Sequence, residues 1–290
     1  MSLQPSELAK FAVILGTADI LDRHQREIKS LFHCVIKPAC LLFPILVLLR
    51  LEPHNSAMLL MAMIFASMLV CAGAGGLKLW GVVVPAALAG GWYFIQSLAT
   101  GDGYAADRLG GVWGLTPTDT AGMLWQTRQS IYAISTGGLF GVGIGNSVQK
   151  HQWLPYAEND FIFSVVCEEL GFIGALALIV LFGALIVQGI FIALNAPDFF
   201  GTLLGIGIMA QVAWQVFCHI GVATALLPNT GISLPFFSYG GTSLLILLGE
   251  MGIMLSISRA GNGRREARRQ REQEELERRL HRKAYRRREV

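Results

Sequence analysis

Long apolar runs separated by shorter polar connections dominate the chain. A helix that crosses a bilayer needs about 20 mostly apolar residues. Seven runs approach or exceed this length: residues 5–20, 31–51, 56–74, 79–98, 161–194, 199–226 and 236–258. The first is short and weak, and the fifth is too long for one perpendicular span, so its first two turns are expected at the interface or against protein. The pattern predicts an all-α polytopic membrane domain over residues 1–258 with about seven transmembrane helices.

One polar connection, residues 99–160, is far longer than the others. A connection of this length is usually functional or disordered. Its segment TAGMLWQTRQSIYAIST (120–136) places apolar residues on one helical face, which can lie on a membrane or on protein. The glycine-rich GGLFGVGIG (137–145) that follows suits a tight turn with exposed backbone that a ligand could approach.

The distribution of Lys and Arg predicts the orientation of the spans. Arg23, Arg26 and Lys29 mark the connection 22–30 as cytoplasmic. Counting spans from there places the 99–160 loop outside the cell and the C-terminal tail, residues 259–290, in the cytoplasm. The tail holds 13 Lys and Arg against 6 Asp and Glu, so both ends of the chain predict the same topology.

Composition agrees with a membrane protein. Of the 290 residues, 53% are hydrophobic and 15% charged, where a soluble domain usually carries about 25% charged residues. The tail's mixed charges favour a solvated helix or a disordered anchor near anionic lipid headgroups. Its one aromatic residue, Tyr285, does not make a nucleic-acid-binding pattern. The five cysteines lack metal-type spacing, as expected for small buried side chains, and the N-terminus lacks the features of a cleavable signal peptide.

Ionisable side chains inside apolar runs are functional candidates, because burying them in a bilayer is costly. Glu7 and Lys10 are three residues apart and can pair on one helix face, so a structural pair and a direct role both stay open. Glu250 can face another helix or act directly. Glu168 and Glu169 are expected about two turns below the surface, where they would cap backbone or pair with cations on other spans.

Asp160 differs from these residues by its position at the start of a predicted helix, at the outer water–lipid boundary. A carboxylate there can simply favour the helix dipole, or it can be a reactive group at the level of lipid headgroups. Glu168 would lie about 12 Å further along the same helix. We therefore do not expect the two acids to share a proton.

Three segments carry a family resemblance: LQPSELAK near the start, GGLFGVGIGNSVQKHQWLPYAENDFIFSVVCEELGFIG in the middle and LPNTGISLPFFSYGGTSLL near the end. In this order and spacing they resemble the signature of the SEDS family, the polytopic peptidoglycan glycosyltransferases of division, elongation and sporulation. The resemblance covers essentially residues 2–258. GNSVQK and YGGTSL look more like the division and sporulation branch (FtsW, SpoVE) than the elongation branch (RodA).

The resemblance implies that the chain joins lipid II units into β-1,4 glycan strands at the outer face of the cytoplasmic membrane. The family's essential aspartate aligns with Asp160, which would be the general base of an inverting displacement. Arg108 and Lys150 match positions that the family usually keeps basic and would hold the departing pyrophosphate. The substrate-binding candidates are Arg108, Lys150, Gln126, Ser130 and Ser238. The motif positions expected to be structural are Glu7, Lys10, Glu168, Glu169, Pro155, Gly231, Pro235, Gly240 and Gly241.

The resemblance also implies partners. These are lipid II, a class B penicillin-binding protein transpeptidase and other divisome proteins, with no nucleic acid. A divalent cation such as Mg²⁺ or Mn²⁺ could share the stabilisation of the pyrophosphate, but the sequence has no dedicated metal cage. Metal ligands beyond an Asp160 contact are unknown.

The chain departs from the family pattern in several places. SEDS proteins usually have ten spans and QPSELAK belongs to the fourth, so the chain resembles the last seven spans without the first three. Tyr156 follows Leu154-Pro155 where the family tends to have Glu, and His54 stands where it often has Asp. A lipid II transporter, which midplane charges would suit, and a non-catalytic scaffold for a penicillin-binding protein are the alternatives.

Overall fold

The computed structural model describes residues 4–27, 30, 32–51, 55–73, 123–155, 157–227 and 229–286, and this part of the chain contains helices and no strand. The α-helices are α1 (Pro5–Arg23), α2 (Lys37–Leu51), α3 (Asn55–Cys71), α4 (Met123–Gly137), α5 (Gln149–Gln152), α6 (Ile162–Leu194), α7 (Phe199–Ala223) and α8 (Gly241–Arg286). A π-helical turn, Phe32–Ile36, leads into α2. The all-helical membrane fold expected from the sequence is confirmed.

Four of the described helical stretches are long and apolar enough to cross a membrane. They are Phe32–Leu49, Ile162–Leu194, Phe199–Ala223 and Gly241–Glu266, with Ser56–Cys71 as a shorter apolar helix. The helix α1 covers the first predicted run. The predicted span 79–98 lies outside the described residues, as does the part of the long loop before residue 123.

The helix α7 lies at the centre of the packing. Its side chains contact α1, α3, α6 and α8, and buried Leu203, Ile208 and Met209 join one core with residues of α1 and α3. Gly207 lets two helices approach closely, since a Cβ there would meet Ile14 at 2.5 Å and the Met68 sulfur at 3.0 Å. Small residues at such crossings are typical of membrane helices, whose association depends on close packing.

The helix α6 is two helices joined at a break. Its 33 residues would extend about 50 Å, and Gly171 interrupts them with φ 69° and ψ −168°. The part after Gly171, residues 172–194, is about 34 Å long, which is enough to cross a ~30 Å hydrocarbon core by itself. Residues 162–170 are therefore not needed for crossing. Glu168 and Glu169 belong to this extra segment, the first two turns that the sequence predicts at the interface or against protein.

The glycine-rich segment 137–145, called the strap below, supplies hydrogen-bond partners for the backbone groups left unpaired at this break. The amides of Val142 and Gly143 donate to the carbonyls of Glu168 and Glu169 at 2.9 and 3.0 Å. The amides of Phe172 and Ile173 donate in turn to the carbonyls of Gly138 and Leu139 at 2.9 and 3.2 Å. In an unbroken helix these amides and the two glutamate carbonyls would bond to each other. The strap therefore provides hydrogen bonds to backbone groups of α6, which lipid could not provide.

The helix α8 continues from the membrane domain into the tail. The predicted boundary at residue 258 coincides with no backbone break, because the helix runs on to Arg286. Arg264 contacts the Pro197 carbonyl and Arg265 contacts the Asn195 side chain, so the beginning of the tail is fastened to the α6–α7 connection. The tail is a helix over its described residues, one of the two forms expected.

Candidate functional site

Asp160 occupies a turn that is fixed by the burial of its neighbours. Residues 157–160 form turns directly before α6, and Phe161 is fully buried beside Leu154 and Val222. Asp160 itself stays half-buried. Since a buried phenylalanine is costly to move out of its packing, the adjacent carboxylate is presented at the surface in a defined place.

Burial also sets the acidity of this group. Loss of solvent around the side chain raises the pKa of the Asp160 carboxyl above its ordinary value, because the low-polarity surroundings disfavour the charged form. A raised pKa makes a carboxylate a stronger base toward a substrate hydroxyl.

The loop between α7 and α8 is fastened to this turn. The Ser238 hydroxyl donates to the Asn159 carbonyl at 2.7 Å and accepts from the Leu234 amide at 2.7 Å. The Tyr239 amide donates to the Glu158 carbonyl at 3.0 Å. Ser238, expected as a substrate contact, thus has both its donor and an acceptor position engaged within the protein. Its geometry is that of a clasp between the loop and the Asp160 turn.

The other motif positions of this loop lie around the clasp. Gly231 has φ 66°, and a Cβ added there would stand 3.8 Å from Asp160 Oδ2, so this glycine borders the carboxylate. Pro235 is buried, while Gly240 and Gly241 lead into α8. Pro155, which precedes the Asp160 turn, is exposed.

Two side chains that the sequence analysis missed hold the same region. His219 Nδ1 lies 2.8 Å from the Ile232 carbonyl, and His219 Nε2 accepts from the Phe163 amide at 3.4 Å. An amide can only donate, so Nδ1 carries the proton and the fully buried ring is neutral. His219 thereby ties α7 to the loop and to the start of α6. A histidine inside the apolar run of α7 was the only sequence signal for this role.

The second missed residue is Asn229. It donates to Gln126 Oε1 at 2.9 Å and accepts from the Gly231 amide at 3.3 Å. Gln126, a predicted substrate contact on α4, is thus linked through Asn229 to the glycine beside Asp160. Ser130 on the same helix lies elsewhere: it is fully buried and bonds Ser164 and the Ala223 carbonyl, both at 2.6 Å. It joins α4 to α6 and α7 and faces no open surface.

Glu168 and Glu169 make the two kinds of contact expected of them. Glu168 is buried and accepts from the Ser147 hydroxyl at 2.5 Å and the Val148 amide at 3.1 Å, next to the start of α5. Glu169 pairs with Lys150 at 2.7 Å. The cation comes from the loop and not from another span. Lys150, a predicted pyrophosphate contact, therefore already has a carboxylate partner, and Arg108 lies outside the described residues.

A second cluster of polar side chains lies buried among the helices. Glu7 and Lys10 form an ion pair of 2.8 Å, and Ser243 lies 3.4 Å from the other Glu7 oxygen. Gln211 donates to both oxygens of Glu250 at 3.2 and 3.0 Å, and Glu250 interacts electrostatically with Lys10 and Glu7. In the parts of the chain described above, no three His, Cys, Asp or Glu side chains come together as a metal site would need.

Comparison with known proteins places this geometry in context. Residues 1–263 match the model of the FtsW/RodA/SpoVE family, described as cell cycle protein. The chain is 37% identical to the probable peptidoglycan glycosyltransferase FtsW of Bacillus subtilis over 267 residues, and 37% identical to the stage V sporulation protein E of the same organism over 261 residues. These matches cover 89% of this chain and 65% and 69% of the two relatives. The chain thus spans about two thirds of their length.

Two solved structures resemble the fold. A protein from a peptidoglycan synthase complex, described as structurally coordinating polymerization and crosslinking, superposes with a TM-score of 0.71 at 27% identity, over 90% of this chain and 71% of that one. The rod shape determining protein RodA of Thermus thermophilus gives a TM-score of 0.56 at 26% identity, over 89% and 66%.

Proposed function

The chain belongs to the FtsW/RodA/SpoVE family of polytopic membrane proteins, and from this premise we propose that it acts as an inverting peptidoglycan glycosyltransferase. Its substrate is lipid II, polymerised into β-1,4 glycan strands at the outer face of the cytoplasmic membrane during division or sporulation. The name of the FtsW relative supports the reaction class, and the name of the stage V sporulation protein supports a role in sporulation.

In the proposed reaction Asp160 removes the proton from the acceptor's 4-hydroxyl. The resulting oxygen attacks the anomeric carbon of the donor, and the bond to the polyprenyl pyrophosphate breaks with inversion. Two features support Asp160 as the base: its half-buried place on a turn that the clasp and Phe161 hold, and burial that raises its pKa. General-base removal typically costs about 10² to 10⁴ in rate.

Cations would stabilise the charge that collects on the pyrophosphate. Lys150 is one candidate, and to bind phosphate its ammonium would exchange its carboxylate partner Glu169 for the pyrophosphate. Arg108 is the other, and Gln126 would orient sugar through its link to Asn229. Mg²⁺ or Mn²⁺ would be an additional source of positive charge.

A charge-matched pair of variants tests the proposal. Asp160→Asn and Glu158→Gln remove one negative charge each from the same turn, and Glu158 is exposed. Each is made in this chain and in a full-length relative, and glycan strands formed from purified lipid II are resolved on gels. We expect Asp160→Asn to lose polymerisation by at least the ~10² of a missing base and Glu158→Gln to keep it. Normal strands from a folded Asp160→Asn protein would remove Asp160 from the reaction.

The assembly and orientation proposed here have their own tests. A class B penicillin-binding protein and divisome proteins are the expected partners, to be checked by co-purification with tagged Asp160→Asn as the folding control. The C-terminus is expected in the cytoplasm, so a reporter after Val290 should read cytoplasmic and one inserted at 102–106 external. An external signal from Val290 would reverse the topology.

One observation favours a second candidate function, the transport of lipid II across the membrane. The buried group of Glu7, Lys10 and Glu250 places charges among the spans, where substrate and ion pathways are usually found. Headgroup flipping in vesicles, measured beside polymerisation for Lys10→Gln, distinguishes the two. Loss of flipping with intact polymerisation would support transport.

A further inference from the structure

The strap carries an exposed apolar tip. Leu139, Phe140 and Ile144 are 62%, 79% and 81% exposed, and residues 137–146 include no charged side chain. Large apolar side chains in such a contiguous exposed group usually mark a surface for protein or membrane.

The exposure of the tip is built into the backbone. The strap is bonded on both sides of the α6 break, through Val142 and Gly143 and through Phe172 and Ile173. Its glycines allow this contact, because a Cβ at Gly141 would overlap the Glu169 carbonyl and one at Gly137 the Cys167 carbonyl. The tip therefore cannot fold back without breaking the hydrogen bonds that pair the backbone groups at the α6 break.

The same bonds determine the depth of the tip. The Leu139 carbonyl accepts from the Ile173 amide at the beginning of segment 172–194, which at ~34 Å is long enough to cross the bilayer. Phe172 and Ile173 are themselves 60% and 53% exposed and lie at the end of a lipid-facing helix. In a bilayer crossed by segment 172–194, the tip would lie at the boundary between hydrocarbon and headgroups, beside these exposed apolar side chains.

We propose that Leu139, Phe140 and Ile144 insert into the leaflet on the Asp160 side of the membrane, among the acyl chains directly beneath the headgroups. The strap joins this anchor to the segment 162–170 through the carbonyls of Glu168 and Glu169. The anchor therefore holds the turn that precedes this segment, with Asp160, at a constant height above the bilayer. This inference concerns the contact with lipid and stands independently of the proposed catalysis.

Depth measurements by electron paramagnetic resonance test the insertion. The exposed Cys40 and Cys71 are first replaced by Ala, and spin labels are attached to Phe140→Cys and, as the control on the same strap, to exposed Asn146→Cys. The chain is placed in nanodiscs of phosphatidylcholine and phosphatidylglycerol. Collisions with oxygen should dominate at position 140, and collisions with a water-soluble nickel chelate at position 146.

Two outcomes would overturn the insertion. The first is equal access of the nickel chelate to both positions in the bilayer. The second is protection of position 140 that arises only after a purified class B penicillin-binding protein is added, which would assign the tip to a protein partner.

A second variant tests the effect on height. A label at Glu158→Cys reports the position of the Asp160 turn, and Phe140→Asp should move this label toward water, with Phe140→Leu as the apolar control. An unchanged label depth in a Phe140→Asp protein of normal melting temperature would show that the tip does not set the height of the turn.

Discussion

The Asp160 turn and the strap junction are both irregular backbone next to α6, but they are held in different ways. Side chains hold most of the turn: Ser238, His219 and Asn229 bond its backbone or that of the facing loop. One backbone bond, from the Tyr239 amide to the Glu158 carbonyl, adds to them. The strap junction is held by backbone bonds and by glycines that allow two backbones to touch. The turn can therefore lose one contact and persist, whereas the junction has no space for an added methyl group at Gly137, Gly141 or Gly171.

The largest effect is expected where the two backbones touch. Gly141→Ala adds a Cβ that overlaps the Glu169 carbonyl, at a residue with φ 77°. Gly138→Ala has a comparable φ of 53° but nothing within 4 Å of the new Cβ. We expect about 1–2 kcal/mol of backbone strain in both and overpacking of about 1–3 kcal/mol more in Gly141→Ala alone. Thermal unfolding in detergent measures the stability lost by each variant. Equal destabilisation of both variants would contradict a close contact between the strap and α6.

Glu168 should be the side chain to which the junction is most sensitive. Glu168→Ala leaves the Ser147 hydroxyl and the Val148 amide without their acceptor, which costs about 1–3 kcal/mol. Glu168→Gln keeps an acceptor oxygen and should lose less, with polymerisation retained. Near-zero activity in a stable Glu168→Gln protein would instead indicate a proton or metal role.

The clasp at the turn should tolerate change better. Ser238→Ala removes the bonds to Asn159 and Leu234 and is expected to cost about 1 kcal/mol, with a loss of activity because Asp160 is held less firmly. Ser135→Ala is the control, because it removes only an exposed hydroxyl that is bonded within its own helix. If Ser238→Ala leaves stability unchanged but abolishes substrate binding, the hydroxyl contacts substrate as the sequence suggested.

The smallest effect concerns stability and pH at Asp160. Its folded pKa is raised by burial, so the ionised form destabilises the fold above that pKa and Asp160→Asn should melt at an equal or slightly higher temperature at neutral pH. Since a base works only when ionised, polymerisation should fall on acidification at a pH above the ~3.9 of an exposed aspartate. An acid limb at or below that value would contradict the burial.

The sequence determined the membrane class and most of the helices, because apolar runs are local patterns, and its family resemblance made Asp160 the candidate base. It also indicated that residues 161–194 are too long for one perpendicular span, with the first two turns at the interface or against protein. It could not show that the strap completes the broken helix, since those bonds join residues about 30 positions apart. Nor could it show that Ser130 is buried, that Lys150 is paired with Glu169 or that His219 and Asn229 support the turn. Hydrophobic periodicity indicates which face of an element avoids water, but only tertiary packing decides which polar groups bond to each other. At this site those hydrogen bonds determine the position of the Asp160 carboxylate.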